Sequence, residues 1–153
     1  MIFVTVGTHR FDALIKAVDE LAGSGLLPDP VVYQIGSGEH LPSHGEYFRF
    51  ERGLQDRIDS ASLVICHGGT GTVFSLLNSG KPFVAVANRA LAHDHQSQFL
   101  ARIAGIADIL WTKDLSELPE LIEKARTHHP RLGAVERLGN DLKNYLSTLG
   151  AGV

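Results

Sequence analysis

Three things are scarce in this sequence: cysteine, an excess of charge of one sign, and long apolar runs. The single cysteine, Cys66, excludes an internal disulfide framework and is typical of a reducing cytoplasm. Lysine and arginine number 14 against 17 aspartates and glutamates, so the formal net charge is −3. Nucleic-acid platforms need a clustered surplus of cations to neutralise phosphates, and we therefore expect no nucleic-acid partner.

The apolar runs are short. The longest, such as Leu63–Cys66 and Phe83–Ala87, fall far below the about 20 residues that a helix needs to cross a bilayer. The amino terminus, MIFVTVGTHRFD, has no basic leader and soon turns polar, unlike a signal peptide. We therefore expect a soluble, cytoplasmic chain that reaches a membrane only through a partner.

What is present is typical of one compact domain spanning residues 1–153. The chain is 44% hydrophobic and 20% charged, which is enough apolar material for a core. Short apolar runs alternate with helical periodicity, and this predicts a single Rossmann-like α/β domain with a parallel sheet flanked by helices. A helical tail is predicted over about residues 115–149. The predicted strands are Ile2–Val6, Val31–Ile35, Tyr47–Phe50, Leu63–Cys66, Phe83–Ala87 and Ile109–Trp111.

Glycine-rich or polar clusters follow four of these strands. They lie at Gly7-Thr8, Gly36–Gly38, His67–Thr72 and Asn88–Gln96. In an open parallel sheet the carboxyl ends of the strands meet at one edge, where ligands bind. The four loops therefore predict a ligand cleft at that edge.

The most informative cluster is HGGTGT, which connects a buried strand to a helix. A helix N-terminus presents unpaired N–H groups and the positive end of the helix dipole, and glycines let the backbone approach a ligand. The pattern is neither a Walker loop nor a GxGxxG fingerprint, so it predicts a phosphate or diphosphate site without naming the compound. The alternative is a ligand-free turn with a threonine N-cap. The candidate residues are His67, Gly68, Gly69, Thr70, Gly71 and Thr72.

Two residues at the start of this cluster have two interpretations each. His67 either contacts the ligand or stacks on the glycine turn. Cys66 is either a nucleophile or an inert core thiol, and its place at the end of a buried apolar strand favours the inert thiol.

The histidine-rich loop before the helix at Gln96 leaves several alternatives open. His93, Asp94 and His95 form an HDH cluster, but no cysteine partner or HExxH spacing accompanies it, so we expect no metal. A His–Asp pair for acid–base catalysis lacks an identified nucleophile. Asp94 and Gln96 at a helix start suit the recognition of sugar hydroxyls. A purely structural N-cap at Asp94 is the remaining interpretation.

The order HGGTGT, GKP and NRALAHDHQ resembles the C-terminal, donor-binding half of the GT-B glycosyltransferases of family 28. The opening VTVGTHRFDALI resembles the catalytic subunit of the two-part GlcNAc transferases of asparagine-linked glycosylation. It resembles equally the bacterial PssE-like subunits of exopolysaccharide synthesis. The resemblance covers roughly residues 1–125.

The resemblance implies a role for each candidate residue. His67–Thr72 would hold the donor diphosphate, and Gln96, with Asp94, His93 and His95 beside it, would contact the donor sugar. Gly7 and Thr8 would face the cleft, and Asn88 would shape the donor pocket. Many family members carry a glutamate that grips the ribose hydroxyls where this chain has Ser75. The donor is therefore expected to be a UDP-sugar carrying GlcNAc, a hexose or a hexuronic acid.

The resemblance also implies an incomplete enzyme. The chain starts at the donor-type strand, so a membrane-anchored partner is expected to supply the acceptor site and the general base. No catalytic residue is assigned, and no cofactor or metal is required for an inverting transfer to a lipid-linked acceptor. The chain would then work at the cytoplasmic face of a membrane. The alternatives are a non-catalytic nucleotide-sugar-binding regulatory subunit and a stand-alone hydrolase that uses His93, Asp94 and His95.

Overall fold

The computed structural model describes residues 1–90 and 94–128. Within them, six strands form one sheet in the order β3-β2-β1-β4-β5-β6, and every neighbouring pair is parallel. The predicted α/β class with a parallel sheet is confirmed. The strands are β1 Ile2–Thr5, β2 Val31–Gln34, β3 Glu46–Phe48, β4 Leu63–His67, β5 Phe83–Val86 and β6 Leu110–Thr112.

Helices cover both faces of the sheet, which explains why the central strands are apolar throughout. On one face, α1 and α5 pack against alternate strand residues such as Val4 and Ile65. On the other face, α2, α3 and α4 pack against the residues between them, such as Phe3 and Val64. None of the described helices is long and apolar enough to cross a membrane. The helices are α1 Asp12–Gly23, α2 Gln55–Ser60, α3 Thr70–Ser79, α4 His95–Ala107 and α5 Leu118–Ala125, with a 3-10 turn at Leu115–Glu117 before α5.

Most strand boundaries lie within one residue of their predicted positions, but the strand predicted at Tyr47–Phe50 ends two residues earlier than predicted. The observed strand is Glu46–Phe48, and Phe50 is 61% exposed. The chain turns after Phe48 because the Arg49 carbonyl accepts from the Gln34 side chain and from the Gly36 N–H. Of the helical tail predicted over about residues 115–149, the part beyond residue 128 lies outside the described residues.

Two aspartates on α1 fasten the long β2–β3 connection to the domain. Asp12 accepts from the N–H groups of Glu39 and His40. Asp19, which is buried, accepts from the N–H groups of Ser43 at 3.0 Å and His44 at 2.9 Å. Burial alone would raise the pKa of Asp19, but these N–H donors outweigh it and hold the pKa below its ordinary value.

A buried glutamine shapes the loop that follows β1. Oε1 of Gln34 accepts from the Thr5 hydroxyl at 2.6 Å and from the N–H groups of Val6 and Gly7 at 3.1 Å. Its Nε2 donates to the carbonyls of Gly7 at 2.7 Å and Arg49 at 2.8 Å. One neutral side chain therefore satisfies the backbone at the carboxyl ends of β1 and β3.

Replacing this glutamine with an apolar side chain of similar size should be costly. In Gln34→Met, the carbonyls and N–H groups that bond to the glutamine side chain lose their partner. We therefore expect the free energy of unfolding to fall by about 2–4 kcal/mol. Urea unfolding measures the loss. The matched control is Gln98→Met on the exposed side of α4, which should change stability by less than about 0.5 kcal/mol. Equal stability of the two variants would contradict the role given to Gln34.

Candidate functional site

The connection between β4 and α3 carries the first candidate residues. β4 ends at His67 and α3 begins at Thr70, so Gly68 and Gly69 make the whole turn. Gly69 takes the N-cap position with extended backbone angles, φ −69° and ψ 134°, and no side chain caps the helix. The ligand-free alternative predicted a threonine at the N-cap. The N-cap residue of this turn is not a threonine, because Thr70 is already the first helical residue.

The imidazole of His67 lies under this turn and is 8% exposed. Its Nδ1 accepts from the Gly69 N–H at 3.1 Å, which puts the ring proton on Nε2. Nε2 lies 3.3 Å from the Thr72 hydroxyl oxygen and donates to it. Only glycines fit around the ring, because a Cβ at Gly7 would lie 2.7 Å from Nε2 and a Cβ at Gly69 would collide with the ring.

Burial keeps His67 uncharged. Desolvation, with a smaller contribution from His9, lowers the pKa of His67 to about 4. At neutral pH the ring is therefore the neutral tautomer that the Gly69 N–H requires. Burial likewise raises the pKa of the neighbouring Cys66 thiol, which is fully buried, and this agrees with an inert core thiol.

The turn leaves the first amides of α3 unused. The first backbone bond into the helix is from the Val73 N–H to the Gly69 carbonyl. The N–H groups of Thr70, Gly71 and Thr72 have no acceptor among the described residues, and the first turn of α3 carries no acidic side chain. A Cβ added at Gly71 meets no atom within 4 Å. The helix N-terminus therefore presents its amides to open space.

Gln96 joins the turn to the next loop along the sheet edge. Its Oε1 accepts from the Gly68 N–H at 3.0 Å and from the Asn88 N–H at 2.8 Å. Asn88 is itself held, because Nδ2 donates to the Arg10 carbonyl and Oδ1 accepts from the Ala90 N–H. The sequence placed Gln96 and Asn88 at the same edge as the HGGTGT loop, and the structure brings them into direct hydrogen-bonded contact with it.

Asp94 lies at the start of α4 with a left-handed φ of 48°, and its side chain caps no backbone amide. Instead, Oδ1 accepts from the Ser97 hydroxyl at 2.8 Å, and Oδ2 lies 3.8 Å from Nε of Arg89. Asp94 therefore occupies the N-cap position of the helix that opens at His95, but its side chain bonds to the Ser97 hydroxyl and to no backbone amide. His95 opens α4 on its exposed side, and Thr8 is exposed in the β1–α1 turn. His93 lies outside the described residues.

Ser75 lies on α3 one turn beyond Gly71 and therefore on the same side of the helix. Its hydroxyl approaches Oε1 of Gln55, at the start of α2, at 3.5 Å. Neither Gln55 nor Gln34 is among the residues that the sequence motifs predict for the site. The signal for Gln34 was a lone glutamine at the end of an apolar strand, whereas nothing local singled out Gln55.

Among the residues that the structure describes, metal ligands do not converge at this edge. Within residues 1–90 and 94–128, no three His, Cys, Asp or Glu side chains lie close enough to hold a metal ion.

The fold, together with the site at the carboxyl edge of the sheet, defines the class of protein. A parallel α/β sheet with open helix amides at its carboxyl edge is the architecture of nucleotide-binding domains. The sequence profile of the glycosyltransferase family 28 C-terminal domain matches residues 1–139. The chain therefore belongs to that family.

A named relative is similar to this chain over most of the length of this chain. The human protein called UDP-N-acetylglucosamine transferase subunit ALG13 is 34% identical over an alignment of 113 residues, which covers 67% of this chain. The match spans only 10% of the human protein.

Two solved structures share the fold. The solution structure of ALG13 has a TM-score of 0.62 at 21% identity, over 90% of this chain and 93% of that one. The crystal structure of Acinetobacter baumannii MurG has a TM-score of 0.55 at 18% identity, over 94% of this chain and 49% of that one.

The neutral state of His67 gives the protein a specific pH dependence. The unfolded chain binds more protons than the folded one between the ordinary pKa of 6.5 and about 4. Stability from this residue is therefore complete above pH 6.5 and is lost as the pH falls through that window. Nuclear magnetic resonance should find no titration of the His67 ring between pH 8 and 5.

The control is His67→Asn, which keeps an acceptor for the Gly69 N–H but cannot be protonated. The fall in unfolding free energy between pH 7 and 5 should be smaller in this variant than in the unaltered chain. A ring titration midpoint near 6.5 would contradict the buried, neutral assignment.

Proposed function

We propose that this chain is the donor-binding, catalytic subunit of a two-component inverting glycosyltransferase. It would transfer a sugar from a UDP-sugar to a lipid-linked acceptor. The observation that carries the proposal is the open N-terminus of α3, where three consecutive amides lack an acceptor among the described residues. Helix N-termini of this kind bind phosphate groups through N–H donors and the helix dipole.

The diphosphate would bind at Thr70–Thr72. Because the Thr72 hydroxyl oxygen already accepts from His67, its own proton is available to donate to a phosphate oxygen. In a direct displacement the leaving UDP gains negative charge, and preorganised N–H donors stabilise that charge without reorganising. This supports a transfer that needs no metal or other cofactor.

The nucleoside and the sugar would lie on either side of the diphosphate. Ser75 and Gln55 form a neutral pair one helical turn away from Gly71, and these hydroxyl and amide groups suit the ribose hydroxyls that a glutamate grips in many relatives. On the other side, Nε2 of Gln96 donates to no described residue, while Oε1 is held by two backbone amides. A fixed amide with a free donor suits a sugar hydroxyl. The names of the relatives favour GlcNAc over a hexose or a hexuronic acid.

The general base is expected from the partner. Both ring nitrogens of His67 are already hydrogen-bonded, and Cys66 is buried. Asp12 and Asp19 are saturated by N–H donors away from the turn. None of these four side chains is therefore poised to take the proton of an acceptor hydroxyl. A membrane-anchored partner would supply that base and hold this chain at the cytoplasmic face.

Gly71→Asp tests the diphosphate site. The position is open, and an aspartate in the first turn of a helix stabilises it, so the variant should fold at least as well as the unaltered chain. The carboxylate occupies the place of the phosphate, so we expect UDP affinity to fall at least about tenfold, or 1.4 kcal/mol. Isothermal titration calorimetry measures the UDP affinity.

The matched control is Gly105→Asp in α4, where an added Cβ also meets nothing within 4 Å. UDP affinity should be unchanged in this variant. Gly69→Asp is a poor test, because the new side chain would displace His67. Undiminished UDP binding by folded Gly71→Asp would refute the diphosphate assignment.

Catalysis requires a second experiment. The full chain, co-expressed with a membrane-anchored acceptor-domain partner, should transfer GlcNAc from UDP-GlcNAc to a polyprenyl-diphosphate acceptor, and the Gly71→Asp chain should not. If the pair binds UDP but transfers no sugar from any UDP donor, the chain is a non-catalytic binding subunit and the catalytic proposal fails.

A further inference from the structure

The open end of α3 continues into a polar but uncharged side of the helix. Over Thr70–Ser79 the helix carries no acidic or basic residue. Ser75 lies one turn beyond Gly71 on the same side and is half-buried. Its hydroxyl donates to Oε1 of Gln55 at 3.5 Å. A ligand that extends from the diphosphate site along α3 therefore meets a neutral hydroxyl and a neutral amide.

The carboxylates in and next to α2 are either bonded already or directed elsewhere. Asp59 accepts from Nε2 of Gln55 at 2.8 Å, and this bond fixes the amide with its oxygen towards α3. Both oxygens of Glu51, which precedes α2, accept from Arg57, at 3.0 and 3.2 Å. Asp56 directly follows Gln55, and consecutive helical residues point to different sides. None of these three carboxylates is therefore an open acceptor beside the serine–glutamine pair.

This pair loses little when a ligand lacks a hydroxyl group. A site rejects such a ligand strongly where the partners of the missing hydroxyl are buried and would be left unpaired. Ser75 is only half-buried, Gln55 is exposed, and the two side chains are bonded to each other without any ligand. A neutral hydrogen bond in such a setting changes affinity by no more than about tenfold.

We infer that the donor site does not select ribose over 2′-deoxyribose, an inference that rests on the proposed function. With the diphosphate at Thr70–Thr72, the pentose lies one helical turn along α3, beside Ser75 and Gln55. The Ser75 oxygen, whose own proton is donated to Gln55, accepts from the 3′-hydroxyl that both pentoses carry. The 2′-hydroxyl therefore adds little, and sugars carried on a 2′-deoxynucleoside diphosphate are donors for this chain as well as UDP-sugars.

The probes are UDP and 2′-deoxy-UDP, titrated separately into the full chain by calorimetry. They share the base and the diphosphate, so the ratio of their affinities isolates the 2′-hydroxyl. We expect the two affinities to lie within about fivefold of each other. In Ser75→Glu the new carboxylate can accept from both hydroxyls of ribose, so the preference for UDP should rise at least about fivefold above that of the unaltered chain. Any repulsion between this carboxylate and the diphosphate affects both nucleotides equally and leaves the ratio unchanged.

The matched control is Asn78→Glu, which adds the same charge to an exposed position of α3 further from its open end and should leave the ratio as it is in the unaltered chain. Two results would overturn the inference. One is a preference of the unaltered chain for UDP of more than about tenfold, and the other is a ratio that Ser75→Glu does not change. Failure of the proposed function is distinguishable from both, because the unaltered chain would then bind neither nucleotide.

Discussion

The hydrogen bond from the Gly69 N–H to Nδ1 of His67 holds the β4–α3 turn in the shape that the rest of the site requires. It satisfies the amide nearest the turn without using a charge, since burial keeps the ring neutral. The next three amides are left open at the helix end. A carboxylate in the same place would have neutralised the positive end of the helix dipole, and a bulkier residue at Gly7 or Gly69 would have displaced the ring.

Neutral amide side chains hold the neighbouring loops in the same manner. Gln34 ties the carboxyl ends of β1 and β3, and Gln96 ties those of β4 and β5. The aspartates Asp12 and Asp19 lie further out on α1, where they hold the β2–β3 connection. The edge is therefore rigid yet carries no acidic group in the first turn of α3. Preorganisation without a competing anion is what a phosphate-binding terminus needs.

Much of this could be predicted from the sequence, because it depends on local pattern. Apolar runs and helical periodicity predicted the sheet, and the glycines of HGGTGT predicted the turn. The rest depends on partners distant in sequence. β3 ends early because Gln34 and Gly36 hold Arg49, and Asp94 turns to Ser97 and Arg89 instead of capping α4. The approach of Gln55 to Ser75 likewise requires two helices to meet.

The most direct test of the central claim is amide chemical-shift mapping of the folded chain during a titration with UDP. If the open end of α3 holds the diphosphate, the amides of Thr70, Gly71 and Thr72 should show the largest shifts. The amide of Gly69, already bonded to His67, should move less. Saturable UDP binding that leaves those three amides unmoved, with its largest shifts at Arg10–Ala13 or elsewhere, would contradict the account.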